Sequence, residues 1–194
     1  SGSKEMDKML IEKGYDPTKI NGKTRMKISL YLQQGGKSAY TFEPLDLNRI
    51  IKDPTYTEID HIIPRSISFD DSRNNKVLVY GEENQKKGNQ TPYYYLIHAN
   101  NQWSFEQYKA LVMKLSKKKE YGISKKKVQN LLYSEDITKA EVLRGFINRN
   151  INDTGYAARV VLNTVQGYFR AKEINTKVKV IRGSYTYQMR VNMK

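Results

Sequence analysis

Between Tyr56 and Pro92 the chain reads YTEIDHIIPRSISFDDSRNNKVLVYGEENQKKGNQTP, and its pattern changes several times. Tyr56 to Ile59 predicts a short strand running into Asp60 and His61, which Pro64 stops. Residues 65–75 form a polar loop rich in Ser, Asp and Asn. Lys76 to Tyr80 carries Val77, Leu78 and Val79 and predicts a second strand. Gly81 turns the chain, and Glu82 to Lys87 predicts a short helix that Gly88 ends. Strand, loop, strand and helix make a ββα unit, around which the rest of the chain has to be arranged.

The polar residues of this unit suit phosphodiester hydrolysis. That reaction needs a deprotonated water, neutralised charge at phosphorus and a stabilised leaving alkoxide. An imidazole, with an ordinary pKa of about 6.5, suits general-base work at neutral pH, which makes His61 the candidate base. Neighbours on a strand point to opposite faces. Asp60 and His61 can therefore meet one phosphate only if the strand ends or twists there. Asn84 falls one turn into the short helix, and its amide oxygen can complete a metal site with Asp60. One carboxylate and one amide oxygen make a hard oxygen site, suited to Mg²⁺, with Mn²⁺ as substitute, and not to Zn²⁺. Asn75 reads as a brace, its amide holding the loop next to His61 through backbone hydrogen bonds.

The flanks are helical. Residues 4–33 read as helical pieces broken at Gly14–Pro17 and near Asn21-Gly22, and residues 39–55 as short and irregular. Ser104 to Lys117 predicts a helix with Phe105, Tyr108, Leu111, Val112 and Leu115 on one face. Ser104 and Gln107 form a capping box, and Trp103 can staple onto Tyr108. A second capping box, Thr138 with Glu141, predicts another helix. A third is expected over about residues 154–171. The pattern then changes to alternation, over Lys177 to Ile181 and from Tyr185 to Val191, which predicts a β-hairpin across Gly183-Ser184. An isolated hairpin is marginal, so the chain is expected to stop inside a second domain.

Composition narrows the partners. The formal net charge is +14 over 194 residues, so a polyanion is the natural partner, nucleic acid before membrane. There is no cysteine, hence no disulfide and no thiolate zinc site. No apolar run approaches the roughly 20 residues of a membrane span. Ser1-Gly2-Ser3 is expected to be a cloning scar. From Lys114 to Lys127 the run KLSKKKEYGISKKK can follow a phosphate backbone without reading sequence, or serve as a solvated linker. His98 is expected at the surface.

These residues carry a resemblance. IDHIIPRS, NNKVLV and EENQKKGN resemble the HNH nuclease motif, and more narrowly the HNH domain of the RNA-guided DNA endonucleases of type II CRISPR systems, in their compact subgroup. The likeness extends upstream over Leu30 to Thr41. Downstream it covers Phe146 to Asn163 and the KVKVIRGSYT hairpin. The resemblance implies an α+β fold: an HNH ββα-metal core surrounded by helices, followed by a helix and hairpin that begin an incomplete RuvC-like part. The implied division is an entry segment at 4–38, an HNH domain at 39–135, a linker helix at 136–153 and the RuvC-like start at 154–194.

It implies His61 as general base, Asp60 and Asn84 as metal ligands and Asn75 as the middle asparagine of the motif. The implied substrate is the DNA strand paired with a guide RNA. Lys86, Lys87, Lys117, Lys118 and Lys119 are candidate nucleic-acid contacts. Arg159, Arg170 and Lys172 are expected to touch either the guide–target duplex or only other lobes of the parent. The remaining lobes of a parent nuclease and a phage-encoded inhibitor protein are the other implied partners, and the bacterial cytoplasm is the implied location. Guide pairing supplies sequence choice in such enzymes, so the chain alone is expected to cut weakly and unspecifically. A stand-alone homing or restriction-type HNH nuclease, or a silent docking module, are the rival readings.

Overall fold

The computed structural model describes residues 2–98, 104–151, 164, 176–182 and 187–193. It divides into two units, residues 1–64 with 70–134 and residues 65–69 with 135–194.

The first unit opens with α1 (Gly2–Glu12) and α2 (Gly22–Gln33). The breaks between them follow the local chemistry. Gly14 has φ +84, and Asp16 caps a single 3₁₀ turn beginning at Pro17. The Asn21 side chain accepts from the Thr24 N–H and starts α2. Next comes α3 (Leu47–Lys52), a helix inside the stretch expected to be irregular. The Asp46 carboxylate caps it by accepting from the Asn48 and Arg49 N–H groups.

Strand β1 (Thr57–His61) pairs antiparallel with β2 (Lys76–Tyr80), in the register Glu58 to Val79, Asp60 to Val77 and His61 to Lys76. Between them, Arg65–Ser68 forms the short α4 of the second unit. Cross-strand partners share a face. Glu58, Asp60, Val77 and Val79 therefore lie on one side of this ribbon, and Ile59, Leu78 and His61 on the other.

Each side has its own core. Val77 and Val79 pack with Tyr40, Tyr95, Tyr108 and Val112. Leu78 packs with Leu10, Ile28, Leu30, Leu45 and Ile50. A bare two-stranded ribbon is marginal in water, and these two apolar layers make it part of a domain.

Helix α5 (Gly81–Lys87) follows β2 without a spacer. A Cβ at Gly81 would stand 2.6 Å from the Thr55 carbonyl oxygen, so only glycine lets the chain turn this close to the strand. Gly88, at φ +52, closes the helix. Helices α6 (Pro92–His98), α7 (Phe105–Ser116) and α8 (Lys125–Leu131) complete the unit. The Ser104–Gln107 capping box is present at the start of α7. Trp103, its expected staple, lies outside the described residues.

In the second unit α4 and α9 (Ala140–Ile151) pack together. The expected Thr138–Glu141 capping box is replaced by an Asx turn, with the Asp136 carboxylate accepting from both the N–H and the hydroxyl of Thr138. Strands β3 (Thr176–Arg182) and β4 (Tyr187–Met193) pair antiparallel as the expected hairpin, with Val180 opposite Met189. The turn at 183–186 and the helix expected over 154–171 fall outside the described residues, apart from residue 164. No helix among the described residues is long and apolar enough to cross a membrane.

Candidate active site

The side chains singled out in the central motif gather at the end of β1 and on α5. Asp60 is 6% exposed. Its Oδ2 accepts from the Tyr40 hydroxyl at 2.5 Å and pairs with the Lys87 ammonium at 2.9 Å. Burial first, and the Asp60 carboxylate second, push the Tyr40 phenol well above its ordinary pKa, so it stays a donor. Burial lowers the pKa of Lys87, against the pull of Asp60. Its Nζ also donates to the His61 carbonyl at 3.0 Å and lies 5.6 Å from the centre of the Tyr40 ring.

The β1 ladder runs through His61 and ends there, so Asp60 faces one side of the ribbon and His61, the last strand residue, stands where the chain leaves it. On its own face the His61 Nε2 meets the Asp71 Oδ1 at 2.8 Å, and that oxygen also pairs with the Lys76 ammonium at 3.0 Å. An ionised carboxylate only accepts, so the Nε2 carries a hydrogen, and in the neutral ring the Nδ1 is the nitrogen left with a lone pair.

Asn84 sits one turn into α5, half-buried, and its Nδ2 donates to a Glu58 carboxylate oxygen. Among the described residues no hydrogen bond joins Asp60 to His61 or to Asn84. The next residue back, Glu83, is 5% exposed. Ser38 Oγ donates to its Oε2 at 2.8 Å, and its Oε1 is buried with no partner. Burial raises the Glu83 pKa to about 7, with the Ser38 hydrogen bond opposing and Asp60 adding to the rise.

Asn75 is fully buried. Its Oδ1 accepts from the Ile63 N–H, and its Nδ2 donates to the Ile63 and Asp70 carbonyls, each at 2.9 Å. Its own carbonyl accepts from the Ile62 N–H. The amide ties the turn after His61 to the end of the polar loop.

The lysines divide. Lys86 is exposed and pairs with Glu82 one turn away. Lys87, expected among the phosphate contacts, is instead fully buried, because Asp60 and the Tyr40 ring hold its ammonium inside. Lys117, Lys118 and Lys119 are exposed past the end of α7, with Lys118 lying over the Tyr121 ring. Lys114 and Lys118 line a cavity of about 140 Å³ together with Lys37, Phe42 and Leu111. Lys127 breaks the run: it is 2% exposed, donates to the Gln33 Oε1 at 2.6 Å, and burial lowers its pKa to about 7. His98 is exposed at the end of α6 and stacks on Tyr94. Arg159, Arg170 and Lys172 lie outside the described residues.

Four contacts had no signal in the sequence: Tyr40 and Lys87 on Asp60, Glu58 on Asn84, and Asp71 on His61. The candidate ligand atoms, the Asp60 carboxylate and the Asn84 amide oxygen, are oxygens. The described residues contain no group of three or more His, Cys, Asp or Glu side chains able to hold a metal by themselves. This set fits a hard divalent cation that takes its remaining ligands from water or phosphate, and it fits neither zinc nor a closed structural site.

Comparison with known proteins places this geometry. Residues 38–93 match the HNH endonuclease family model, and residues 141–194 match RuvC endonuclease subdomain 3. The chain is 47% identical over 164 residues to the CRISPR-associated endonuclease Cas9 1 of Streptococcus thermophilus, covering 84% of this chain. It is 45% identical over 168 residues to the Cas9 of Staphylococcus aureus, covering 87%. It spans only 14% and 16% of the length of these two relatives. A crystal structure of S. thermophilus Cas9 in complex with an AGGA PAM superposes with a TM-score of 0.63 at 41% identity, over 93% of this chain and 17% of that one. The Cas9 of Actinomyces naeslundii, at 15% identity and a TM-score of 0.51, shares the fold. The chain therefore belongs to the Cas9 family of CRISPR-associated endonucleases, of which it carries the HNH endonuclease segment followed by RuvC subdomain 3.

Proposed function

We propose that this segment hydrolyses a phosphodiester of the DNA strand paired with a guide RNA, by a one-metal mechanism with His61 as general base. The observation that carries the reading is the His61–Asp71 pair standing at the end of the same strand that carries Asp60, in a ββα unit whose helix supplies Asn84.

Asp60 and Asn84 would hold the cation, Mg²⁺ with Mn²⁺ as substitute. When bound, such an ion neutralises phosphate charge and stabilises the leaving alkoxide. The chain's own residues do the rest. His61 takes the proton of the attacking water at Nδ1, because Asp71 holds the Nε2 hydrogen. Asp71 and Lys76 fix the ring and balance the imidazolium that forms. Asn75 keeps the turn after His61 in place. Lys87 neutralises Asp60 until a cation does so.

The exposed Lys86, Lys117, Lys118 and Lys119 supply attraction to phosphates without reading bases. The guide–target duplex, the other lobes of a parent nuclease and a phage-encoded inhibitor are the proposed partners, in the bacterial cytoplasm. A match to RuvC subdomain 3 behind the HNH segment favours this over a stand-alone homing nuclease.

The test is target-strand cleavage by a guide-loaded parent enzyme carrying this segment, comparing wild type with His61→Ala. Loss of general-base catalysis is expected to slow the cut by about 10²–10⁴-fold while leaving DNA binding intact. An unchanged cleavage rate would refute the assignment.

A further inference from the structure

We infer that Ser38 and Tyr40 form a positioning clamp that sets Asp60 and Asn84 relative to one another, resting on the reading above that these two side chains hold the cation. Each hydroxyl reaches one arm of the site. The Tyr40 hydroxyl donates to the Asp60 Oδ2 at 2.5 Å. The Ser38 hydroxyl donates to the Glu83 Oε2 at 2.8 Å, and Glu83 is the residue before Asn84 on α5. One prong therefore fixes the strand side of the site and the other fixes the helix side.

The clamp is itself held by main-chain bonds. The Ala39 N–H donates to the Leu78 carbonyl at 3.1 Å, tying the segment to the middle of β2. The Ser38 N–H donates to the Glu43 carbonyl at 2.8 Å, and the Phe42 N–H to the Ser38 carbonyl at 3.0 Å. The Gln34 side chain donates to the carbonyls of Lys37 and Leu78 and accepts from the Leu78 N–H. Both prongs thus share one rigid base on the strand that carries neither ligand.

Packing does not explain the hydroxyls. Ser38 is 0% and Tyr40 1% exposed. The Tyr40 ring packs edge-on against Tyr95 at 6.1 Å, a contact that phenylalanine would make equally well. A serine in an apolar layer would be served by alanine. What the hydroxyls add is direction. With Tyr40 and Lys87 both on Oδ2, the other carboxylate oxygen of Asp60 is oriented and has no protein partner among the described residues. With Ser38 on Oε2, Glu83 is pinned through a single oxygen, since its Oε1 has no partner. Groups that orient metal ligands in this way typically change metal affinity by about 10–100-fold when removed.

The test uses the whole chain with Mn²⁺ as probe and a short DNA strand present, reading free Mn²⁺ by electron paramagnetic resonance. Tyr40→Phe keeps the ring and should weaken Mn²⁺ about tenfold or more. Ser38→Ala should weaken it several-fold, and Ser38→Thr should restore wild-type affinity. Should Tyr40→Phe fail to fold, the contrast between Ser38→Ala and Ser38→Thr decides alone. A second readout needs no metal: Ser38→Ala should shift the Asn84 side-chain amide resonance in the metal-free chain, and Ser38→Thr should not. Wild-type affinity in folded Tyr40→Phe and Ser38→Ala overturns the clamp. No Mn²⁺ bound by the wild-type chain, with an Asn84 resonance that moves as expected, overturns instead the assignment of Asp60 and Asn84 as ligands.

Discussion

Replacing Asn75 tests how the structure holds His61 in place. Asn75→Ala removes the hydrogen bonds that its side chain accepts from the Ile63 N–H and donates to the Ile63 and Asp70 carbonyls. At about 1 kcal/mol each, and more where a buried backbone group loses its partner, the loss should be about 3 kcal/mol or more. For a unit of this size that lowers Tm by about 10 °C. Urea unfolding of the whole chain, followed by tyrosine fluorescence, measures it directly. Asn75→Asp separates hydrogen bonding from volume. It retains an acceptor for the Ile63 N–H but turns a carboxylate oxygen toward two carbonyls. Its folded pKa should rise above the ordinary aspartate value of about 3.9. Stability relative to wild type is then fully present at low pH and lost as pH rises through that raised value. A change below about 1 kcal/mol for Asn75→Ala, or an Asn75→Asp variant that gains stability as pH rises, would refute the brace.

Other outcomes follow from the same contacts. Lys87→Met leaves the Asp60 carboxylate buried without its cation, which should cost about 3–5 kcal/mol in metal-free buffer. Millimolar Mg²⁺ should then raise the Tm of Lys87→Met more than that of wild type, and equal shifts in thermal melts would count against Lys87 as the balancing charge. Glu83 and Lys127 give opposite pH slopes. Glu83 has a folded pKa raised from 4.5 to about 7, so its contribution to stability declines as pH rises across that window. Lys127 has a folded pKa lowered from 10.5 to about 7, so its contribution declines as pH falls across that window. Urea midpoints against pH should flatten below neutrality in Glu83→Gln and above it in Lys127→Met, and slopes unchanged from wild type would contradict both burial assignments. Gly81→Ala drives a Cβ against the Thr55 carbonyl and should destabilise by about 1–3 kcal/mol, seen as a lower urea midpoint.

The ββα unit was legible because its signals are local. The run of Val77, Leu78 and Val79, the turn at Gly81 and the stop at Gly88 each act within a few residues. Asn75 as a brace was legible for the same reason, since its partners lie 12 or fewer residues away. Helix α3 was missed because Pro44 and Pro54 frame it as a loop, while the Asp46 cap and the buried Leu47 and Ile50 make it a helix. Helix α8 was missed because Lys125 to Lys127 reads as solvated charge. Lys127 turns inward, its ammonium on Gln33, 94 residues away. The contacts that shape the site were illegible for a related reason. Tyr40 lies 20 residues from Asp60, and Glu58 lies 26 from Asn84, so only the folded ribbon brings them together. Strand alternation alone would separate Asp60 from His61, and only the β1 ladder shows that the strand ends at His61, where the chain is free to turn.

Asp60 and Asn84 are proposed to hold a catalytic cation at the strand end that bears His61. The most direct measurement is a Mn²⁺ titration of the isotope-labelled chain with a short DNA strand, following NMR line broadening residue by residue. Broadening is expected to centre on Asp60, His61 and Asn84. Broadening centred elsewhere, or none at millimolar Mn²⁺ with DNA present, would contradict this assignment.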